Sequence, residues 1–175
     1  MQETSTVELA YVPTAADAIQ AVRAQMRASA SGRRLRWLLP TAGALGLLFL
    51  ALNLAGPGEP HVPLAIMSGG LVLLALGTGL LAPRVMGRAV HRMVEPQGEF
   101  RAVVDSDGVR WTARDSETVW RWRMLPRYVE TAELFVLLSA DKHAVGVAVL
   151  PKRGVRDTAD LDRLRAVLDR HTARV

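Results

Sequence analysis

Residues 37–54 and 62–81 are two apolar runs without a single charged side chain, separated by Gly56-Pro57-Gly58-Glu59-Pro60-His61. Wound as α-helix, a run of about 18–20 residues rises about 1.5 Å per residue and matches the ~30 Å hydrocarbon core of a bilayer. A backbone in lipid has no water to bond to, so a segment of this kind crosses as a helix. The short Gly/Pro loop turns the pair into a hairpin, and the rest of the chain has to be read as attached to it.

Charge around the hairpin is one-sided. Arg33, Arg34 and Arg36 precede the first run, Arg84, Arg88 and Arg92 follow the second, and the loop carries Glu59 and no Lys or Arg. The positive-inside rule then puts both termini in the cytoplasm and loop 56–61 outside, in the inner or plasma membrane. Trp37 stands where an interfacial anchor is expected. Some 36 residues precede the first run, too many for a signal peptide, and the run itself is longer than the about 7–15 residues of a signal-peptide core, so it is expected to be retained. No Asp, Glu, Lys, Arg or His lies at membrane depth, which argues against an ion path or proton relay. Asn53 sits near the outer boundary, while the hydroxyls of Ser68 and Thr78 can bond a carbonyl one turn earlier. Ala42 and Gly46, Ala65 and Gly69, and Ala75 and Gly79 are each four apart, a spacing that lets helix backbones approach. We expect it to pack the two spans together; the same spacing would also serve a homodimer.

Outside the hairpin the pattern is that of a small α+β domain. Residues 1–5 read as a loose tail. Residues 6–11 alternate as a short strand with Val7, Leu9 and Tyr11 on one side. Thr14 is placed to N-cap a helix, with Asp17 at its positive end and Ile19, Val22, Met26 and Ala30 at helical spacing. Those side chains are modest and include no Trp or Phe, so packing on the domain is favoured over lying on the membrane surface. Ser29-Ala30-Ser31-Gly32 is expected to loosen the helix. From Glu99 the period becomes two, with turns at Asp105-Ser106-Asp107-Gly108 and Asp115-Ser116-Glu117. Trp120, Trp122 and Met124 are expected on one face of a strand and Arg121 and Arg123 on the other, with Pro126 bending the strand or marking an edge. Residues 134–138 are continuously apolar, the mark of a strand buried on both faces, and 145–150 read as one more strand of an antiparallel meander. Asp157 is the expected N-cap of a closing helix with Leu161, Leu164, Leu168 and His171 in one stripe, available to cover the sheet. The segments are thus an N-terminal strand and amphipathic helix over 1–32, a transmembrane hairpin over 33–83 and a β-rich domain with a C-terminal helix over 84–175. The first could join the sheet of the third, which would make the hairpin an insertion.

Several chemistries drop out. The chain has no cysteine, which excludes a disulfide scaffold, a Cys-ligated metal and a thiol nucleophile. His61, His91, His143 and His171 are scattered without metal-site spacing, so neither metal nor cofactor is expected. The Asp105 loop has Ser116 where a calcium loop needs its twelfth-position Glu, so turn chemistry explains it. No Gly-x-Ser-x-Gly elbow or phosphate loop occurs. The net charge of +5 is almost all arginine, Lys142 and Lys152 being the only lysines, which points to a GC-rich bacterial coding sequence.

The layout resembles the bacterial YcxB-like family. The resemblance rests on residues 122–130, the run 134–138, and Leu150-Pro151-Lys152-Arg153, together with the position of the hairpin. It implies a C-terminal domain similar to the pleckstrin-homology type of small antiparallel barrel capped by a helix, and it implies no activity.

The candidate contact residues are Arg121, Arg123, Lys152 and Arg153. The plain reading is a half-buried strand with Trp inside and Arg solvated. The functional reading is a basic face for anionic lipid headgroups or a protein partner, with Lys152 and Arg153 extending it. Nucleic acid is not expected, because bases would need exposed rings to stack on and the alternation turns the tryptophans inward. The expectation is a non-enzymatic, multi-pass scaffold or regulator that presents its cytoplasmic domain to a protein or anionic-lipid partner. The alternative is an accessory subunit of a membrane enzyme or transporter complex.

Overall fold

A computed structural model describes residues 6–141 and 146–175. The tail over 1–5, Lys142, His143 and the expected first strand residue Val145 lie outside the described residues. The elements run β1 (Val7–Tyr11), α1 (Ala15–Ala28), α2 (Ala30–Ala55), α3 (Val62–Val94), β2 (Phe100–Val104), β3 (Gly108–Thr112), β4 (Glu117–Arg121), β5 (Arg127–Glu130), β6 (Leu134–Leu138), β7 (Val147–Pro151), α4 (Thr158–His171) and β8 (Ala173–Arg174). They make two four-stranded sheets, ordered β1-β2-β3-β4 and β7-β6-β5-β8. All pairings are antiparallel except β5 with β8.

The N-terminal strand belongs to the C-terminal domain. Val7 lies opposite Val104 and Tyr11 opposite Phe100, so β1 is the edge partner of β2 across the whole hairpin. The first and third segments therefore share one sheet, with α2 and the apolar part of α3 inserted between them.

The two sheets bury their facing sides against each other. Val7, Leu9, Ala102, Val104, Val109 and Trp111 come from the first, and Tyr128, Phe135, Leu137 and Leu150 from the second. Leu164, Val167 and Leu168 of α4 close the same core. The other face of the second sheet carries Leu134, Val136 and Leu138, which pack on Ala21 and Ala24 of α1. This is why residues 134–138 are apolar at every position: β6 has a layer on each side. Helix α1 accordingly packs within the domain, and its alanines let it lie close to the strand.

Caps follow the sequence. Thr14 and Asp17 form a reciprocal capping box at α1, and Asp157 accepts from the Asp160 N–H at 2.7 Å to start α4. The expected loosening at 29–32 is a one-residue break. Ser29 is extended, ends α1, and accepts from the Gly32 N–H at 3.1 Å to begin α2.

Both α2 and α3 are long and apolar enough to cross a membrane, with mean hydropathies of 1.9 and 2.1 over their most apolar stretches. Only 6% and 11% of those stretches are buried, unlike the core helix of a water-soluble protein. They pack through small residues, as the spacing suggested for part of the set. A Cβ on Gly46 would come within 3.0 Å of the Ser68 carbonyl oxygen, and Ala75 is buried beside Gly43. Gly69 faces open space and takes no part. The Ser68 hydroxyl donates to the Leu64 carbonyl at 2.7 Å, the back-bond expected of it. Asn53 clasps the loop, its amide donating to the His61 carbonyl at 3.2 Å and its oxygen accepting from the His61 N–H at 3.0 Å.

Helix α3 runs on well past the apolar run, to Val94. Its extension carries Arg84, Arg88 and Arg92 and docks on α1. Gly87 is buried there, where a Cβ would stand 2.6 Å from the Ile19 Cα. The domain is thus fastened to the hairpin by a continuous helix.

Candidate functional site

The expected strand over 120–124 stops at Arg121, and Trp122–Met124 form a single 3-10 turn. The chain must leave the first sheet here to start the second, and the turn does so. Trp122 still points inward. Its indole N–H donates to the Asp105 carbonyl at 3.1 Å, and its ring stacks on His171 with centroids 5.3 Å apart. Met124 is exposed rather than on a shared buried face, because a helical turn rotates each residue by far less than the half-turn of a strand. Arg121 and Arg123 flank Trp122, both exposed, and neither side chain makes a hydrogen bond or ion pair with the described residues.

Lys152 and Arg153 are in a different situation. Lys152 donates to Glu130 at 2.8 Å and lies over the Phe135 ring. Arg153 holds both carboxylate oxygens of Asp17, at 2.7 and 2.5 Å, and donates to the Val12 carbonyl. Nor do Arg121 and the Lys152–Arg153 pair lie at the same end of β7. Trp120, next to Arg121, reaches Gly146 just before β7, whereas Lys152 and Arg153 follow its far end. A five-residue strand places those ends about 17 Å apart.

The partners of Lys152 and Arg153 are what the sequence did not single out. Glu130, at the end of β5, is nearly buried and receives Lys152, Arg165 of α4 at 2.9 Å and Arg174 of β8 at 3.1 Å. The hydrogen bond from Arg165 is the largest influence. It outweighs the effect of burial, and with Lys152 it holds the carboxyl at about 2. Asp17 is pushed up by burial, but Arg153 and the Thr14 cap together hold it below its ordinary value. Tyr128, buried under α4, donates its hydroxyl to Asp169, and burial pushes that phenol up to about 12. The only signal for these pairs was a run of lone acidic residues among arginines, which many solvated surfaces share.

A cleft of about 370 Å³ opens between α1, the α3 extension and the facing edges β4 and β7. Ala18, Ala21 and Val22 line it from α1, Val90 and Val94 from α3, and Trp111, Trp120, Val147 and Val149 from the sheets. Its phenol and its carboxylate are already engaged. The Tyr11 hydroxyl donates to the Val149 carbonyl at 2.8 Å, and Asp17 is held by Arg153. Burial pushes the Tyr11 phenol up to about 12, so it stays protonated. Among the described residues no group of three His, Asp or Glu side chains could hold a metal ion.

No protein-family model matches the sequence, and comparison with curated proteins finds no similar one.

Proposed function

We propose that this chain is a two-span protein of a bacterial inner or plasma membrane, a non-enzymatic module that presents a cytoplasmic two-sheet domain to a partner. The observation that carries this is the pair of apolar helices left largely exposed around their mutual contact, with arginine clustered at the end where the domain docks. Exposed apolar surface of that extent favours a lipid surround, and the arginine bias supports a cytoplasmic domain end. Membership of the YcxB-like family and a pleckstrin-homology-like closure of the sheets belong to the same reading. An isolated bridge from Leu9 to Val155, which ties β1 to the segment after β7, supports that closure. The contact surface for anionic lipid or protein narrows to Arg121 and Arg123, whose side chains have no partner among the described residues, while Lys152 and Arg153 serve the fold.

Topology is testable because the chain has no cysteine. An impermeant maleimide should label Glu59→Cys in intact cells and Asp107→Cys only after permeabilisation; the reverse pattern refutes the orientation. For the contact surface, native mass spectrometry of the full chain from neutral detergent should count fewer bound phosphatidylglycerol molecules on the Arg121→Gln/Arg123→Gln variant. Equal counts would leave a protein as the partner.

A further inference from the structure

The cleft beside α3 has mostly apolar walls. Val22, Val90, Val94, Trp111, Trp120 and Val149 give it apolar walls. Its one carboxylate, Asp17, is neutralised by Arg153, and its phenol, Tyr11, is spent on a backbone carbonyl. Ordered water needs about two to four polar partners, and Thr14, Gln25 and Thr118 are the remaining polar side chains along otherwise apolar walls. The volume of about 370 Å³ falls within the about 300–1,000 Å³ typical of small-molecule sites. That size suits a single acyl chain better than the two chains of a phospholipid.

A path leads to it from the lipid. Past the apolar run, α3 exposes Met86, Val90 and Met93, which recur at i, i+4 and i+7 on one face. Arg84, Arg88 and Arg92 recur at i, i+4 and i+8 on another. Val90 belongs both to the exposed stripe and to the wall of the cleft. Leu81 to Val90 is nine residues, a rise of about 14 Å, and Val94 is about 6 Å further. The cleft thus sits beyond the headgroups, out of reach of a chain that stays within the bilayer.

We propose that this cleft binds a single acyl chain, drawn from a membrane lipid or a free fatty acid along the Met86–Val90–Met93 stripe. The proposal rests on the two-span reading given above, and the native tryptophans separate the two. Trp37 is exposed on α2 at the expected interface, whereas Trp111 and Trp120 line the cleft. Bromine quenches indole on contact. The full-length protein and its Trp37→Phe variant are placed in nanodiscs of lipid with brominated chains, and separately in ordinary nanodiscs given brominated palmitate.

Brominated nanodiscs should quench Trp37, read as the difference between the two proteins. The Trp37→Phe variant should itself lose most of the emission of Trp111 and Trp120, in the first arm if the source is a phospholipid and in the second if it is a free acid. Thr118→Phe and Ala148→Leu, which add bulk to the wall, should each restore that emission. Quenching of Trp37 with no loss in the Trp37→Phe variant in either arm overturns the acyl site and leaves the membrane reading standing. Unquenched Trp37 overturns both. Quenching that survives both filling variants places the chain elsewhere and also overturns the site.

Discussion

Glu130→Gln keeps the size and shape of the side chain and removes its charge. In the native fold Lys152, Arg165 and Arg174 surround that carboxylate, and its side chain is only 8% exposed. Its pKa falls from 4.5 in the unfolded chain to about 2 in the folded one. At about 1.4 kcal/mol per unit, the ionised form contributes at most about 3.4 kcal/mol at pH 7. Arg174 is more than half exposed and adds little of this, so Lys152 and Arg165 carry it. A depressed carboxylate stabilises fully above its unfolded value and loses that effect as pH falls through the folded one. The window is therefore about pH 4.5 down to about pH 2. Linkage between those two values leaves about 1.4 kcal/mol at pH 3, so the gap between wild type and Glu130→Gln should narrow by about 2 kcal/mol between pH 7 and pH 3. Urea unfolding of the full chain in neutral detergent, followed by near-UV circular dichroism of the buried tryptophans, measures this at both pH values. A gap below about 0.5 kcal/mol at pH 7, within the range of a surface substitution, or one that does not change with pH, would falsify the assignment of Glu130 as the charge centre of the fold.

Other substitutions probe the remaining joints. Arg153→Met strands the buried Asp17 carboxylate and should cost about 3 kcal/mol, while Asp17→Asn/Arg153→Met should cost less than the sum of the two single changes by more than about 1 kcal/mol in the same assay. Gly87→Val drives a side chain into the Ile19 backbone. It should cost about 1–3 kcal/mol and raise protease cleavage between α1 and the strands; unchanged cleavage would mean that α3 does not clamp α1. A fragment of residues 99–175 leaves β2 without β1 and β6 without α1. It should give broad, poorly dispersed NMR spectra, and a sharp native-like spectrum would show that the first segment is dispensable.

Much of this protein was legible in local pattern. Charge-free runs of membrane length, a Gly/Pro loop, the Thr14 and Asp157 caps, and the turn at Asp105, whose carboxylate accepts from the Asp107 and Gly108 N–H groups, all emerge where the residues put them. Each depends on neighbours within a turn or two, and such interactions are the same in any fold. The fully apolar β6 told the reader that it had two covers and not what they were.

Only the tertiary structure could decide partnership. That β1 pairs with β2 rather than standing apart, that the strands divide into two sheets at Trp122, and that α1 fills the second face of β6 are choices among apolar surfaces, and hydrophobic burial is non-directional. Arginine is abundant here, so sequence could not tell the solvated Arg121 and Arg123 from Arg153 and Arg165, whose carboxylates come from 136 and 35 residues away. A charge reads the same in sequence whether water or a buried acid receives it. The fold alone brings Asp17 and Glu130 into range, and the same closure leaves the cleft between α1, α3 and the sheet edges.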